Sequence, residues 1–336
     1  MMKLLSEFCL LNGISGDEGR VREYIIRQIE GFCEYRVDNL GNIIAFKKGE
    51  LTPDKRILIS AHMDEVGFIV NYINDDGSLK ISAVGGIEAT TALGKRVLVG
   101  DSEISGVIGS VAVHNLSKEE REKSPSISAL CVDIGAENKE QAEEYVNLGD
   151  SVCFEPDFQE MGDGKILSKA IDDRFGCAVM IKLLQGELKY DTYFTFVVQE
   201  EIGLRGAKVA AYTVNPDVAV VLEATTASDI PCADNEKKVC VQGNGPVVSF
   251  MDRSTIYSKE LYKLAFDTAK DIGVPCQTKT MIAGGNDAGA IHTTRGGVKT
   301  IAVSLPCRYI HSPSGVADVR DIESSYKLVK EMLQRI

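Results

Sequence analysis

The chain has 336 residues, 44% hydrophobic and 26% charged, enough length and apolar content for a large core and more than one domain. With 37 basic against 49 acidic residues it carries a formal charge of −12, which excludes the basic footprint of a nucleic-acid binder and opposes attachment to an anionic membrane. Its nine cysteines contain no CxxC pair, so buried reduced thiols are expected and a disulfide framework is not. The N-terminal apolar run is broken by Glu7 and too short for a secretory signal, and no window reaches the ~20 apolar residues of a membrane span. A cytoplasmic location is the expectation.

In chain order, Ser15 and Glu18 have the spacing of a capping box, and Val21, Ile25 and Ile29 follow on one helical face. The run RILISA reads as a strand leading into HMDEVGFIVNYI. Residues 72–163 differ: Gly-rich, short alternating runs such as RVLVGDSEISGVIGSVAVH and GDSVCFEP predict a small β-rich domain. It is an insertion, because α/β patterning flanks it. Beyond it, TYFTFVV, DVAVVLEA and KTIAVSLP read as buried strands, and SKELYKLAFDTAKDIG and IESSYKLVKEMLQRI as helices. The alternation predicts an α/β fold, a mixed central sheet sandwiched by helices, built from the two segments 1–71 and 164–336.

Chemistry-bearing residues gather where these strands end. His62 opens HMDE after one strand, with Asp64 two residues on, and His311 follows another in YIHSPSG. In an open α/β sheet, ligands collect outside the carboxyl ends of the strands. Glu200 and Glu201 stand together at the end of a third strand, and Glu223 at the end of a fourth, where an acid is costly to bury without a partner. Asp172 and Asp173 precede an apolar helical stretch, a place where either could be an ordinary N-cap. Likewise the two glutamates could be a solvated turn, and Glu223 one half of a salt bridge. Taken together, carboxylates with imidazoles are the donor mixture of zinc, cobalt or manganese. Asp172, Glu201 and Glu223 with one hydroxide balance the charge of two divalent ions and leave Glu200 free as a base. His114 and His292 are assigned to structure. Neither a GxxxxGK[ST] phosphate cradle nor a GxSxG elbow is present.

The motifs AHMDEVGFIV, AIDDRFGCAV, QEEIGLRGA, GGNDAGAIH and HSPSGVADVRDI occur in the order found in one group of dinuclear metallo-aminopeptidases. The chain resembles that group, which holds the glutamyl aminopeptidases and the tetrahedral (TET) aminopeptidases; some relatives carry an endoglucanase label. The resemblance runs from near residue 10 to the C-terminus. It implies a zinc-peptidase-like fold with two divalent ions (zinc or cobalt, with manganese a further option) and peptide substrates. By the same resemblance, His62 and Glu223 hold the first ion, Asp172 bridges both, and Glu201 and His311 hold the second. Asp64 orients His62 by taking its other ring N–H, and Glu200 is the general base. Asp173 need not be a ligand. Position 223 departs from the family's usual Asp. Asn286 and Asp287 in GGNDAG are candidates for the substrate pocket, against the plainer reading of a Gly-rich turn. The inserted segment resembles the family's dimerisation domain, implying a dimer or a dodecamer built from dimers. Three rivals stand beside the aminopeptidase: a related dinuclear amidohydrolase removing acyl groups, a metal-free glycosidase, and a non-catalytic assembly protein.

Overall fold

The computed structural model describes residues 1–230, 234, 238–282 and 284–336, with only the backbone at residue 120. The expected strands form one mixed sheet. Its centre is parallel: Thr192–Val197, Ile57–His62, Val218–Thr226 and Lys299–Arg308 lie side by side in that order. These runs are rich in Val, Ile and Phe and are buried on both faces, as a covered parallel sheet requires. Antiparallel strands flank them, Ile43–Lys47 and Glu34–Val37 on one side, and Gly315–Asp318, Lys165–Ser168 and Phe158–Met161 on the other.

The helices pack on this sheet in two groups. Met2–Cys9, Gly19–Ile29 and Val319–Met332 gather around Ile171–Leu184, while Arg205–Val214 pairs with Ala288–Ile291. After its charged first turn Ile171–Leu184 is almost wholly apolar, and apart from Asp172 and Lys182 every side chain in it is buried. Burying a side chain such as Phe175 contributes roughly 1.5–3 kcal/mol. That makes this helix the rigid support for whatever sits at its first turn.

Residues inserted after the strand Ile57–His62 close into a six-stranded antiparallel barrel: Gly67–Ile73, Leu79–Val84, Leu130–Asp133, Ile104–Ser110, Arg96–Val99 and Ser151–Phe154. Its interior is a separate cluster that includes Phe68, Val99, Ile108, Val132 and Phe154, with Phe68 and Phe154 meeting edge to face at 5.7 Å. Closure leaves no exposed strand edge. The barrel starts at Gly67, before the expected 72, because no turn residue interrupts the sequence from Val66 into that strand. At the other end, Phe158–Met161 pairs with Lys165–Ser168 in the main sheet, so that sheet resumes before 164.

The expected capping box at Ser15 and Glu18 does not form. Helix Gly19–Ile29 begins without a side-chain cap. Ser15 instead donates its hydroxyl to Asp64 Oδ2 at 2.6 Å, and Glu18 accepts the N–H groups of Gly16 and Gln199. Donating to a buried carboxylate is a charge-assisted bond, stronger than the neutral one the Ser15 oxygen would accept from a helix N–H open to water. Eight of the cysteines lie among the described residues and all eight are free; Cys232 lies outside them. Among the described residues no helix is long and apolar enough to cross a membrane.

Candidate metal centre

Five of the expected residues arrive at the carboxyl ends of the parallel strands. His62 is the last residue of Ile57–His62, Glu200 and Glu201 follow Val197, Glu223 lies near the end of Val218–Thr226, and His311 follows Arg308. Asp172 joins them from the first turn of Ile171–Leu184. The backbone here is held in unusual conformations. Five of the eight described non-glycine residues with positive φ surround the site: Ala170, Gln199, Leu204, Tyr309 and His311. Such conformations cost of order 1–3 kcal/mol each and persist where the surroundings impose them.

Asp64 is what imposes the turn at the two glutamates. Its fully buried carboxylate accepts the N–H of Glu200 at 3.0 Å, the N–H of Glu201 at 3.1 Å and the Ser15 hydroxyl. Burial alone would raise the Asp64 carboxyl, but the bonds to His62, Ser15 and Glu200 outweigh it and hold it below its ordinary value. With both N–H groups pinned on one acceptor, the neighbouring side chains diverge. Glu201 turns towards His311, and Glu200 lines an open cavity.

The expected bond from the His62 ring to the Asp64 carboxylate takes a different form. His62 Nδ1 lies 3.0 Å from the main-chain carbonyl of Asp64 and 3.5 Å from its Oδ1. The carbonyl is the nearer acceptor because the carboxylate is engaged by the turn. Either partner fixes Nδ1–H and leaves Nε2 facing the acids.

Those acids are arranged around two points. His62 Nε2 is 3.3 Å from Asp172 Oδ1 and 3.3 Å from Glu223 Oε1. His311 Nε2 is 3.4 Å from Asp172 Oδ2 and 3.3 Å from Glu201 Oε2. These spacings are long for charge-assisted hydrogen bonds. They match the edge of a tetrahedron of ligands around an ion bound at ~2.1 Å, which is about 3.4 Å. Asp172 Oδ1 is buried with no hydrogen-bond partner, as a donor awaiting a cation would be. The donor set therefore fits two divalent ions sharing Asp172.

Donor atoms of His62, Asp173 and Glu223 also lie within 4.8 Å of one another, as do those of His62, Asp172 and Glu201. Asp172 is nevertheless the better bridge. Asp173 Oδ1 accepts the Gly176 N–H at 2.8 Å and so caps the helix, the ordinary N-cap job that the sequence left open for either acid. Glu223 reaches its place despite the extra methylene by curling back, with Oε1 accepting the N–H of Ala224 at 3.1 Å.

The charge state reflects the crowding. Burial first, then neighbouring acids, raise Glu200 and Glu223 well above the usual carboxylate range and push Glu201 and Asp287 up to about 7. Burial lowers the imidazoles, but the facing carboxylates outweigh it, raising His62 and lifting His311 to about 9. Asp172 is held well below its ordinary value, its burial overcome by both histidines. More negative charge converges than two imidazoles neutralise, and a divalent cation is the group that would relieve it.

The cavity beside these donors measures about 480 Å³ and is walled by Glu200, Thr225, Ser254, Lys279, Asn286 and others. Asn286 lines it and bonds to the Tyr257 hydroxyl. Asp287 does not line it: it is buried behind the site with both oxygens unpartnered. Sequence reading took Ser15 for a cap and missed Ser254 and Lys279, whose local pattern does not mark them; they reach the cavity only because the fold brings their segments there. His292 bonds to its own helix through Ala288 O at 2.7 Å, and His114 is exposed in a short 3₁₀ turn.

Residues 41–328 match the family model described as M42 glutamyl aminopeptidase. The lysyl aminopeptidase of Pyrococcus furiosus is 33% identical over 334 residues, covering 96% of this chain and 94% of that protein. The solved TET1 peptidase of Pyrococcus horikoshii, described as able to assemble into a tetrahedron or a large octahedral shell, superposes with a TM-score of 0.88 at 35% identity, covering 99% of this chain and 98% of that one. A Thermotoga maritima structure described as an endoglucanase gives a TM-score of 0.81 at 36% identity, with 98% of each chain covered.

Proposed function

The chain belongs to the M42 glutamyl aminopeptidase family, and from that premise we propose that it is an aminopeptidase that removes N-terminal residues from peptides with two divalent ions per subunit, zinc or cobalt, with manganese as a further option. The observation that carries the reading is the division of Asp172 between two histidines, each with its own glutamate, at 3.3–3.4 Å. His62, Glu223 and Asp172 would hold the first ion; Asp172, Glu201 and His311 the second. When bound, the ions would polarise the scissile carbonyl and bring the pKa of a water towards neutrality.

The remaining work falls to the chain. Glu200 lines the cavity beside Asp172, Glu201 and Glu223 but, unlike those three, pairs with neither His62 nor His311, and burial raises its pKa, which suits a general base. It takes the proton of the attacking water and returns it to the departing amine. Asp64 is a positioning residue: it aims Glu200 and Glu201 through their N–H groups. The free amino terminus of a peptide sits among the cavity's carboxylates, which disfavours blocked substrates, and Asn286 is the better of the two pocket candidates. Self-association through the barrel, as a dimer or dodecamer, is part of the proposal, supported by the shell-forming behaviour stated for the Pyrococcus horikoshii peptidase.

The endoglucanase description of one relative favours a glycosidase as the second reading. That chemistry uses two carboxyl groups flanking a sugar bond and no metal, leaving His62 and His311 without a task. The test is a panel of aminoacyl-nitroanilides, acetylated counterparts and carboxymethylcellulose, assayed after chelation and again with added Zn²⁺, Co²⁺ or Mn²⁺. Metal-restored release from free aminoacyl substrates is expected. Preference for the acetylated set would favour the deacylase, and chelator-resistant cellulose cleavage the glycosidase. Metal binding without turnover of any substrate would favour a non-catalytic protein.

A further inference from the structure

The two histidines of the site are supported in different ways. His62 is buried, and its Nδ1 is held by Asp64 two residues along the same segment. His311 is partly exposed, sits in left-handed backbone at φ 59, and receives no such help from its own segment. Its Nδ1 lies 3.0 Å from the carbonyl of Gly86, which belongs to the inserted barrel, in the turn that follows strand Leu79–Val84.

The preceding residue touches the other second-ion ligand. Gly85 has φ +89, a conformation that side chains rarely adopt, and a Cβ there would lie 2.8 Å from Val66 Cγ1 and 3.2 Å from Glu201 Cβ. Val66 is β-branched and buried, so it has little freedom to yield. At Gly86 the situation is ordinary: its Cβ would meet His311 Nδ1 at 3.4 Å, a normal packing distance. The two glycines are therefore not equivalent. Gly85 is bare so that the turn can lie against Glu201, and Gly86 matters through its main-chain carbonyl.

We propose that the Gly85–Gly86 turn of the barrel is a positioning element for the second ion: its carbonyl fixes the ring and tautomer of His311, and its bare Gly85 seats the main chain at Glu201. The proposal rests on the reading that His311 and Glu201 hold a metal. With Nδ1–H donated to Gly86, Nε2 is left as the free donor, facing Asp172 Oδ2 at 3.4 Å and Glu201 Oε2 at 3.3 Å. Partners of this kind, bonded to a ligand histidine, typically alter metal affinity 10- to 100-fold when they are lost. Among the described residues neither His62 nor Glu223, which would hold the first ion, bonds to this turn, so the effect is expected on the second ion alone. The barrel thereby becomes part of the second site.

The experiment is a calorimetric Zn²⁺ titration of the chelator-stripped full chain, comparing the native protein with Gly85→Ala and Gly86→Ala. Two ions are expected in the native protein and in Gly86→Ala. In Gly85→Ala the first step is expected unchanged and the second weakened by ~10- to 100-fold. Two unchanged steps in Gly85→Ala, or two steps weakened alike, would overturn the proposal. If Gly85→Ala fails to fold, histidine-selective ¹⁵N spectra of the Zn²⁺-loaded native protein decide. His311 carrying its proton on Nδ1 and none on Nε2 is expected; the opposite tautomer overturns it. A native protein that binds no Zn²⁺ at all would sink the metal reading itself, an outcome distinct from two native steps with an unaffected Gly85→Ala.

Discussion

The barrel and the sheet treat buried polarity in opposite ways. Among the described residues, no polar or charged side chain between Gly67 and Phe154 is buried; every buried side chain of the barrel is apolar. At the carboxyl end of the sheet, His62, Asp64, Asp173, Glu223 and Asp287 are buried together, with the ion cluster of Glu65, Lys169 and Arg174 behind them. A fold of this size closes on hydrophobic burial alone, as the barrel does. Burying several carboxylates side by side destabilises a fold unless something compensates. The contrast therefore identifies the sheet end as the place where stability is given up for chemistry.

That contrast can be broken by targeted changes. The largest effect is expected from Glu200→Gln, which removes the base without touching an ion: turnover should fall by ~10²- to 10⁴-fold while metal content stays at the native level. Steady-state rates beside elemental analysis test it, and native turnover would remove Glu200 from its role. In the barrel, Ile108→Ala should lower stability by roughly 2–5 kcal/mol and leave the first ion's affinity as it was. Thermal unfolding paired with a Zn²⁺ titration measures both, and first-ion loss in this variant would mean that the two regions are not separable.

Smaller is the change expected from Glu223→Asp. The main chain at Glu223 is held in parallel pairing opposite Ser304, so the shorter side chain would stop short of its place beside His62 and lose the bond to Ala224. The first ion should weaken by ~10-fold, about 1.4 kcal/mol, with the second changed less. Equal or better affinity in the Asp variant would show that the strand shifts to accommodate it.

How much of this was legible depended on whether partners are close in sequence. The four central strands could be read because buried parallel strands are near-continuous runs of Val, Ile, Leu and Phe, and the ligand candidates because they stand directly after those runs. The local pattern could not separate the roles of Asp172 and Asp173, since a cap and a ligand are both Asp before a helix; only the family resemblance assigned the bridge to Asp172, and the bond from Gly176 N–H to Asp173 supports that division. Ser15 was misread because its spacing to Glu18 fits a cap, while its true partner, Asp64, lies in another segment. Gly86 was invisible because it acts through a main-chain carbonyl, which no side-chain pattern encodes. The barrel was read as a class but not to its boundary, since its first strand continues an apolar run without a turn residue.

The central claim is that one carboxylate, Asp172, serves two ions. A Zn²⁺ titration of chelator-stripped native protein and of Asp172→Asn tests it most directly. Two ions per chain in the native protein, with both binding steps weakened in the variant, is the predicted result. A native stoichiometry of one, or an Asp172→Asn variant that keeps either ion at native affinity, would contradict it.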